Sequence, residues 1–95
     1  MITGTFEETG ISAPIYIARG RPLGVSISGT FSATVLLRRN LEINSGKYPQ
    51  IGDDEWQTEQ TKTAAAEITI EISPGGWYDL ECSVHASGKV VYTLR

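Results

Sequence analysis

Hydrophobic and polar residues alternate along much of this chain with a period of two. In residues 67–72 isoleucine occupies every second position, and glutamate or threonine lies between. Successive side chains of a β-strand point to opposite faces of a sheet, so this segment predicts a strand that buries Ile68, Ile70 and Ile72. The three alanines at 64–66 favour a helix by propensity, but the alternation of β-branched residues that follows favours a strand.

A second alternating segment covers residues 77–84. Its inward-facing side chains are predicted to be Tyr78, Leu80, Cys82 and Val84. Residues 73–76, Ser-Pro-Gly-Gly, predict a turn before it, because proline presets one φ angle and glycine permits a positive one. Residues 85–88, His-Ala-Ser-Gly, are interpreted as the turn that follows.

Further strands are predicted on both sides of these two. They are Pro14–Ala18, Leu23–Ser28, Phe31–Arg39, Trp56–Gln60 and Val90–Leu94. The first is predicted to be an edge strand, because its proline has no N–H to donate to a neighbour. Residues 2–6 are either a short strand or a free arm, and residues 40–55 are predicted to be a long loop with one short strand near 41–43.

Together these elements predict an all-β fold. We expect a two-sheet antiparallel β-sandwich, Ig-like or jelly-roll-like, with seven to eight short strands and no substantial helix. A parallel arrangement is disfavoured because no segment is suited to a crossover helix. The 95 residues are expected to form one domain overall, with residues 1–20 as an N-terminal arm or edge strand and candidate assembly element, and residues 21–95 as the sandwich core.

Composition narrows the classes of function. Apolar residues make up 40% of the chain and charged residues 20%, which is typical of a globular domain. The net charge of −3 argues against nucleic-acid binding, which favours a basic surface. The single cysteine excludes an internal disulfide and fits a reducing compartment. We see no signal peptide and no apolar run of the ~18 residues that suggest a membrane span, so we expect a protein made in the cytoplasm.

Candidate catalytic groups are few. His85 is the only histidine, and we expect it to be solvated at the surface. A Cys82–His85 dyad is disfavoured, because a separation of three residues on a regular strand places the two on opposite faces. Cys82 is predicted to be a small core residue instead. We therefore predict no catalytic residue and expect that the protein is not an enzyme.

Binding sites for metals, cofactors and nucleic acids are also weakly indicated. The acidic segment Asp53-Asp54-Glu55 is interpreted as a solvated turn, with weak calcium binding as the alternative, because its spacing does not match an EF-hand. Residues 20–24 lack the lysine and the helix of a phosphate-binding loop. We predict neither a metal nor a cofactor. The arginines at 19, 21, 38 and 39 could form a basic patch, but they are expected to cap strand ends or to pair with nearby glutamates rather than to bind nucleic acid.

The aromatic residues suggest different roles. Trp56, which opens a strand, is predicted to lie at the centre of the core. Trp77 alternates with the inward-facing residues and is predicted to face solvent or a neighbouring subunit. Tyrosine and tryptophan are enriched at interface hot spots. Trp77 and Tyr48 are therefore candidate interface residues. Ile15, Tyr16 and Ile17 are further candidates, because the N-terminal segment is suited to strand addition or arm exchange.

Two resemblances add to this interpretation. Residues 78–82, Tyr-Asp-Leu-Glu-Cys, resemble the penultimate strand of Ig-like or fibronectin-type domains, although the tyrosine stands four residues before the cysteine, not two. From Leu23 to Leu94 the order of motifs is VSISGTFSATVLLRR, an acidic loop before Trp56, GWY, and SGKVVYTL at the end. This order resembles small β-sandwich virion proteins encoded in bacteriophage structural gene clusters. The acidic residues 53–55 and the longer loop at 44–52 depart from that pattern.

The second resemblance implies a component of a phage particle, such as a head decoration, tail or fibre-associated protein. We expect it to bind copies of itself and another virion protein, and to be assembled into the virion in the host cytoplasm. The alternative is a carbohydrate-binding or adhesion module that uses Trp77, Tyr48 and a calcium ion at the acidic loop.

Overall fold

The computed structural model describes residues 1–40, 56–73 and 75–95. These residues form two antiparallel sheets packed face to face and contain no helix, which confirms the predicted β-sandwich. The strands of the described residues are β1 (Ile2–Phe6), β2 (Gly10–Ile11), β3 (Ile15–Ile17), β4 (Leu23–Ser28), β5 (Phe31–Asn40), β6 (Gln57–Lys62), β7 (Ala66–Ile70), β8 (Gly76–Gly88) and β9 (Val90–Leu94).

The two sheets differ in size and strand order. One has four strands in the order β1-β9-β4-β7, and the other has the order β2-β8-β5-β6 with β3 also paired to β8. The last strand, β9, lies between β1 and β4 and not beside the preceding strand β8. In the constant-type Ig arrangement the last strand shares a sheet with the strand before it, so the order differs there.

The core fills the space between the sheets. Its fully buried apolar side chains come from both of them and are Leu23, Val25, Val35, Leu37, Tyr78, Leu80, Cys82, Val90 and Leu94. Cys82 therefore lies in the core, as predicted. Trp56 is also buried, but it lies outside this cluster, so the prediction that it forms the centre of the core is wrong. Tyr78 is the largest fully buried side chain instead.

The buried hydroxyl of Tyr78 is satisfied by the turn that precedes β8. Its Oη lies 3.1 Å from Ser73 Oγ, and the Gly75 N–H donates to the same Ser73 oxygen at 3.0 Å. Ser73 is itself 1% exposed. A buried polar group needs such partners, because leaving one unpaired costs about 1–3 kcal/mol.

The alternation in β7 ends earlier than predicted. Ile68 is buried and Ile70 is half-buried, but Ile72 lies beyond the strand and is 76% exposed. The pairing of β7 with β4 stops at the contact between Ile70 and Leu23, the first residue of β4. Ile72 thus lies past the last paired residue of β7, and the prediction that it faces the core is wrong.

The predicted turn at residues 85–88 is also wrong, because β8 continues to Gly88. Two β-bulges, at Ser83 and Ala86, interrupt its register with β5. A bulge places two residues opposite one, so it reverses the alternation beyond it. Val84 therefore pairs with Thr34 on the outer face and is 57% exposed, contrary to the prediction that it faces the core.

Residues 1–20 contribute strands to both sheets. β1 pairs with β9 in the four-stranded sheet, whereas β2 and β3 pair with β8 in the other. Phe6 and Ile17 are part of the core cluster. Residues 2–6 are therefore a strand and not a free arm, and any role of this segment in assembly is exerted from edge positions of the sandwich.

Ser12 joins β2 to β3 along β8. Its N–H donates to the Leu80 carbonyl at 2.8 Å, and its Oγ accepts from the Leu80 N–H at 2.9 Å. The serine hydroxyl thus gives the Leu80 amide a partner between the two short strands. Pro14, which has no N–H, follows two residues later.

We expect Gly4→Ala to destabilise the fold. A Cβ at this position would collide with the Tyr92 hydroxyl and lie 2.6 Å from its Cζ, and the Tyr92 ring is held by stacking on Phe6 with centroids 4.7 Å apart. Overpacking of this kind costs about 1–3 kcal/mol. The matched control is Gly24→Ala, whose Cβ would meet only the flexible side chain of Arg95. Urea unfolding of both variants measures the difference, and equal stabilities would contradict the prediction.

Candidate functional site

The two sides of the sandwich, where the sheets end, differ in charge. We call the side formed by β1, β2 and β3 the N-terminal side; its strands contain no charged residue. The opposite side is formed by β6 and β7 and carries Glu59, Lys62 and Glu67 within its strands. Edge strands present unpaired backbone groups, and natural proteins commonly protect them from pairing with charged side chains. The N-terminal side lacks that protection within its strands.

A shallow cleft separates β1 from β2 on the N-terminal side. It has a volume of about 520 Å³ and is lined by residues 5–11 and by Tyr92. Burial raises the pKa of the Tyr92 hydroxyl above its ordinary value. Its lining includes the stacked, buried rings of Phe6 and Tyr92 and the exposed residues Glu7 and Glu8.

An aromatic pair lies next to this edge, on the outer face of the five-stranded sheet. Tyr16 of β3 is opposite Trp77 of β8, and their ring centroids are 5.3 Å apart with an interplanar angle of 59°. Tyr16 is 39% exposed and Trp77 is half-buried. The structure therefore brings together two of the five predicted interface residues.

The other predicted interface residues lie elsewhere. Ile15 is half-buried and packs against the core cluster, whereas Ile17 belongs to that cluster at 7% exposure. Their side chains therefore support the edge from within. Tyr48 and the acidic segment 53–55 lie outside the described residues, so their predicted roles stay predictions.

A buried ion pair lies on the same outer face. Arg38 donates from Nε to Asp79 Oδ1 at 2.8 Å and from its Nη2 to Oδ2 at 2.6 Å, and Asp79 is 0% exposed. Burial raises the pKa of the Asp79 carboxyl, against the lowering effect of the hydrogen bond and charge of Arg38. The guanidinium lies 5.1 Å from the ring centroid of Trp56, a cation–π contact that places this tryptophan beside the ion pair and not in the core cluster.

The adjacent arginine is also paired. Arg39 Nε lies 3.0 Å from Glu59 Oε1, an ion pair whose angle departs from hydrogen-bond geometry. Arg38 additionally lies 3.8 Å from Glu81. Arg39 thus pairs with a nearby glutamate, as predicted, whereas the main partner of Arg38 is an aspartate. Local alternation places Asp79 on the outer face of β8, and its burial there depends on Arg38 of β5, which lies opposite it.

Cys82 and His85 are placed differently from the prediction. The bulge at Ser83 puts them on the same side of β8, opposite Val35 and Ala33, so the expected separation onto opposite faces is wrong. Among the described contacts, Cys82 Sγ lies 3.5 Å from the Val84 carbonyl, and His85 Nε2 lies 2.8 Å from the Gly88 carbonyl. Burial, and then the charge of Glu81, raise the pKa of the Cys82 thiol.

Within residues 1–40, 56–73 and 75–95, no group of three or more histidine, cysteine or acidic side chains is placed to hold a metal ion. This part of the chain also contains no helix long and apolar enough to span a membrane.

Comparison with protein-family models, with curated proteins and with solved structures found no match. The site is therefore interpreted from its own geometry.

The Arg38–Asp79 pair gives a prediction about stability. We expect Arg38→Met and Asp79→Leu each to destabilise the fold by about 3–5 kcal/mol, because each leaves a buried charge without its partner. The double variant removes both charges and is expected to be more stable than either single variant. A double-mutant cycle by urea unfolding measures this coupling, and additive losses would show that the pair is not coupled.

Proposed function

We propose that this chain is a non-enzymatic structural protein of a bacteriophage particle, either a decoration protein or a tail or fibre-associated one. It acts by associating with copies of itself and by binding a neighbouring virion protein, and it is assembled in the host cytoplasm. The observation that carries the proposal is the N-terminal side, where the edge strands are uncharged and an aromatic pair lies beside them.

Edge strands and aromatic residues stabilise an interface in different ways. An added strand gains affinity from backbone hydrogen bonds to the open edge. Tyr16 and Trp77 supply side chains of the type that dominates interface energetics. A stable interface buries about 800 Å² per partner, which is roughly 15% of the 5405 Å² surface of this chain. The open edge of β1 belongs to one sheet and the aromatic pair to the other, so these two features offer contacts on both sheets.

The resemblance of residues 23–94 to small phage β-sandwich proteins supports placement in a virion. The buried Cys82, with its raised thiol pKa, and the engagement of His85 by the Gly88 carbonyl support a non-enzymatic role. A nucleophilic cysteine acts as the thiolate, which burial disfavours.

The Tyr16–Trp77 pair also favours a second candidate, a carbohydrate-binding module, because aromatic rings can stack on sugars. The 59° tilt between the rings prevents them from forming one flat platform. A glycan array probed with the native chain and with Trp77→Ala separates the two candidates. Glycan binding that is lost in Trp77→Ala would favour the second.

We expect the chain to be present in particles of the phage that encodes it. Mass spectrometry of particles purified on a density gradient detects it. Tyr16→Ala and Trp77→Ala are expected to lower its incorporation, because they remove the aromatic contact, while Ile72→Ala on an exposed turn leaves incorporation unchanged. Absence of the chain from purified particles, with the protein found only in the soluble lysate, would refute the proposed function.

A further inference from the structure

The sequence of β1 has a two-fold pattern. Its five residues are Ile2, Thr3, Gly4, Thr5 and Phe6, so the order of apolar residue, threonine, glycine, threonine and apolar residue is the same in either direction. The two-fold pattern holds on each face of the strand. Thr3 and Thr5 are exposed on the outer face, whereas Ile2 is half-buried and Phe6 is buried on the inner face.

β1 is also a terminal strand of its sheet. It pairs with β9 along one edge over its whole length, from Ile2 opposite Leu94 to Phe6 opposite Val90. Among the described strands, none pairs with its other edge. That edge therefore has backbone groups directed away from the sheet, and the strand contains no charge to oppose pairing.

We propose that β1 pairs antiparallel with β1 of a second copy of this chain, about a two-fold axis through Gly4. The two four-stranded sheets then become one continuous sheet across the interface. The inference rests on the self-association in the proposed function, and it specifies the partner, the surface and the register of that association.

This register pairs like with like on each face. Thr3 lies opposite Thr5 of the other copy on the outer face, and Ile2 lies opposite Phe6 of the other copy on the inner face. Threonine pairs and pairs of an aromatic with a β-branched residue are both favourable across strands. Gly4 meets its own copy at the axis, where the ring of Tyr92 from β9 already covers it.

Neighbouring registers are worse. An antiparallel shift that keeps the same faces moves the axis to Thr3 or to Thr5. With the axis at Thr5, Gly4 lies opposite Phe6 and Thr3 lies opposite the carboxylate of Glu7. With the axis at Thr3, Phe6 has no partner within the strand. Only the axis at Gly4 pairs all five residues of β1.

The two-fold pattern also favours a second copy over a different protein. A two-fold interface uses the same patch on both subunits, so each favourable contact occurs twice. A strand that is self-complementary on both faces satisfies that requirement without help from other elements. A five-residue edge buries less area than a typical stable interface, so the dimer is expected to dissociate on dilution.

The experiment uses charges at Thr3 and Thr5 to read the register. In Thr3→Lys/Thr5→Lys, lysine faces lysine twice across the axis, and we expect dimerisation to weaken. In Thr3→Glu/Thr5→Lys, each glutamate faces a lysine of the other copy, and we expect dimerisation to be restored. The two variants are expected to differ about tenfold in dissociation constant. Thr69→Lys is the matched control, since Thr69 is an exposed threonine on β7, the opposite edge of the same sheet.

Sedimentation equilibrium over a concentration series measures the mass relative to the 10.3 kDa chain, and circular dichroism confirms folding. A native chain that stays monomeric at its highest soluble concentration would overturn both this inference and the self-association part of the proposed function. A native dimer that is unaffected by Thr3→Lys/Thr5→Lys, or equally weakened by Thr69→Lys, would overturn the inference alone. Equal weakening by both double variants would overturn the register.

A second measurement needs no variant. Hydrogen exchange of the native chain is expected to show protection of residues 2–6 that rises with protein concentration, while β7 shows no such rise. Exchange in β1 that is independent of concentration, in a chain shown to dimerise, would place the interface elsewhere.

Discussion

The pairing of β5 with β8 is the interaction on which the rest of the structure depends. These are the longest strands of the described chain, with 10 and 13 residues, and they carry the core on one face and the Arg38–Asp79 pair on the other. β8 also pairs with β2 and β3 along the edge that faces away from β5. The register between β5 and β8 therefore positions the inner packing, the buried ion pair and one half of the N-terminal side.

The bulges in β8 allow this long strand to follow the twist of the sandwich. β8 has 13 residues, and a regular strand would keep strict alternation along its whole length. The two bulges instead bend the strand and increase its local twist. At Gly88 the chain adopts a φ of 83° and crosses to β9 in the other sheet. A Cβ at this position would collide with the Thr30 carbonyl, so the crossing requires glycine.

In the proposed dimer, the N-terminal side would serve both folding and association. β6 and β7 contain charges that oppose pairing with other chains, and Glu67 is further engaged by the Ser26 hydroxyl at 2.8 Å. β1 has no such feature, yet Phe6 anchors it in the core by stacking on Tyr92. The inner face of β1 thus packs in the core, while one of its edges points away from the sheet. In the proposed dimer, one strand would thus stabilise the monomer through its inner face and pair with a second copy through its edge.

Local alternation determined the fold class, because side chains on a regular strand must follow a period of two. It correctly placed Ile68, Tyr78, Leu80 and Cys82 inside. The tertiary structure decided what depends on partners distant in sequence. The bulges that expose Val84 arise from pairing with β5, and the burial of Asp79 arises from Arg38 opposite it. The adjacency of Tyr16 and Trp77, and the edge position of β1, likewise follow from strand register, which no local pattern encodes.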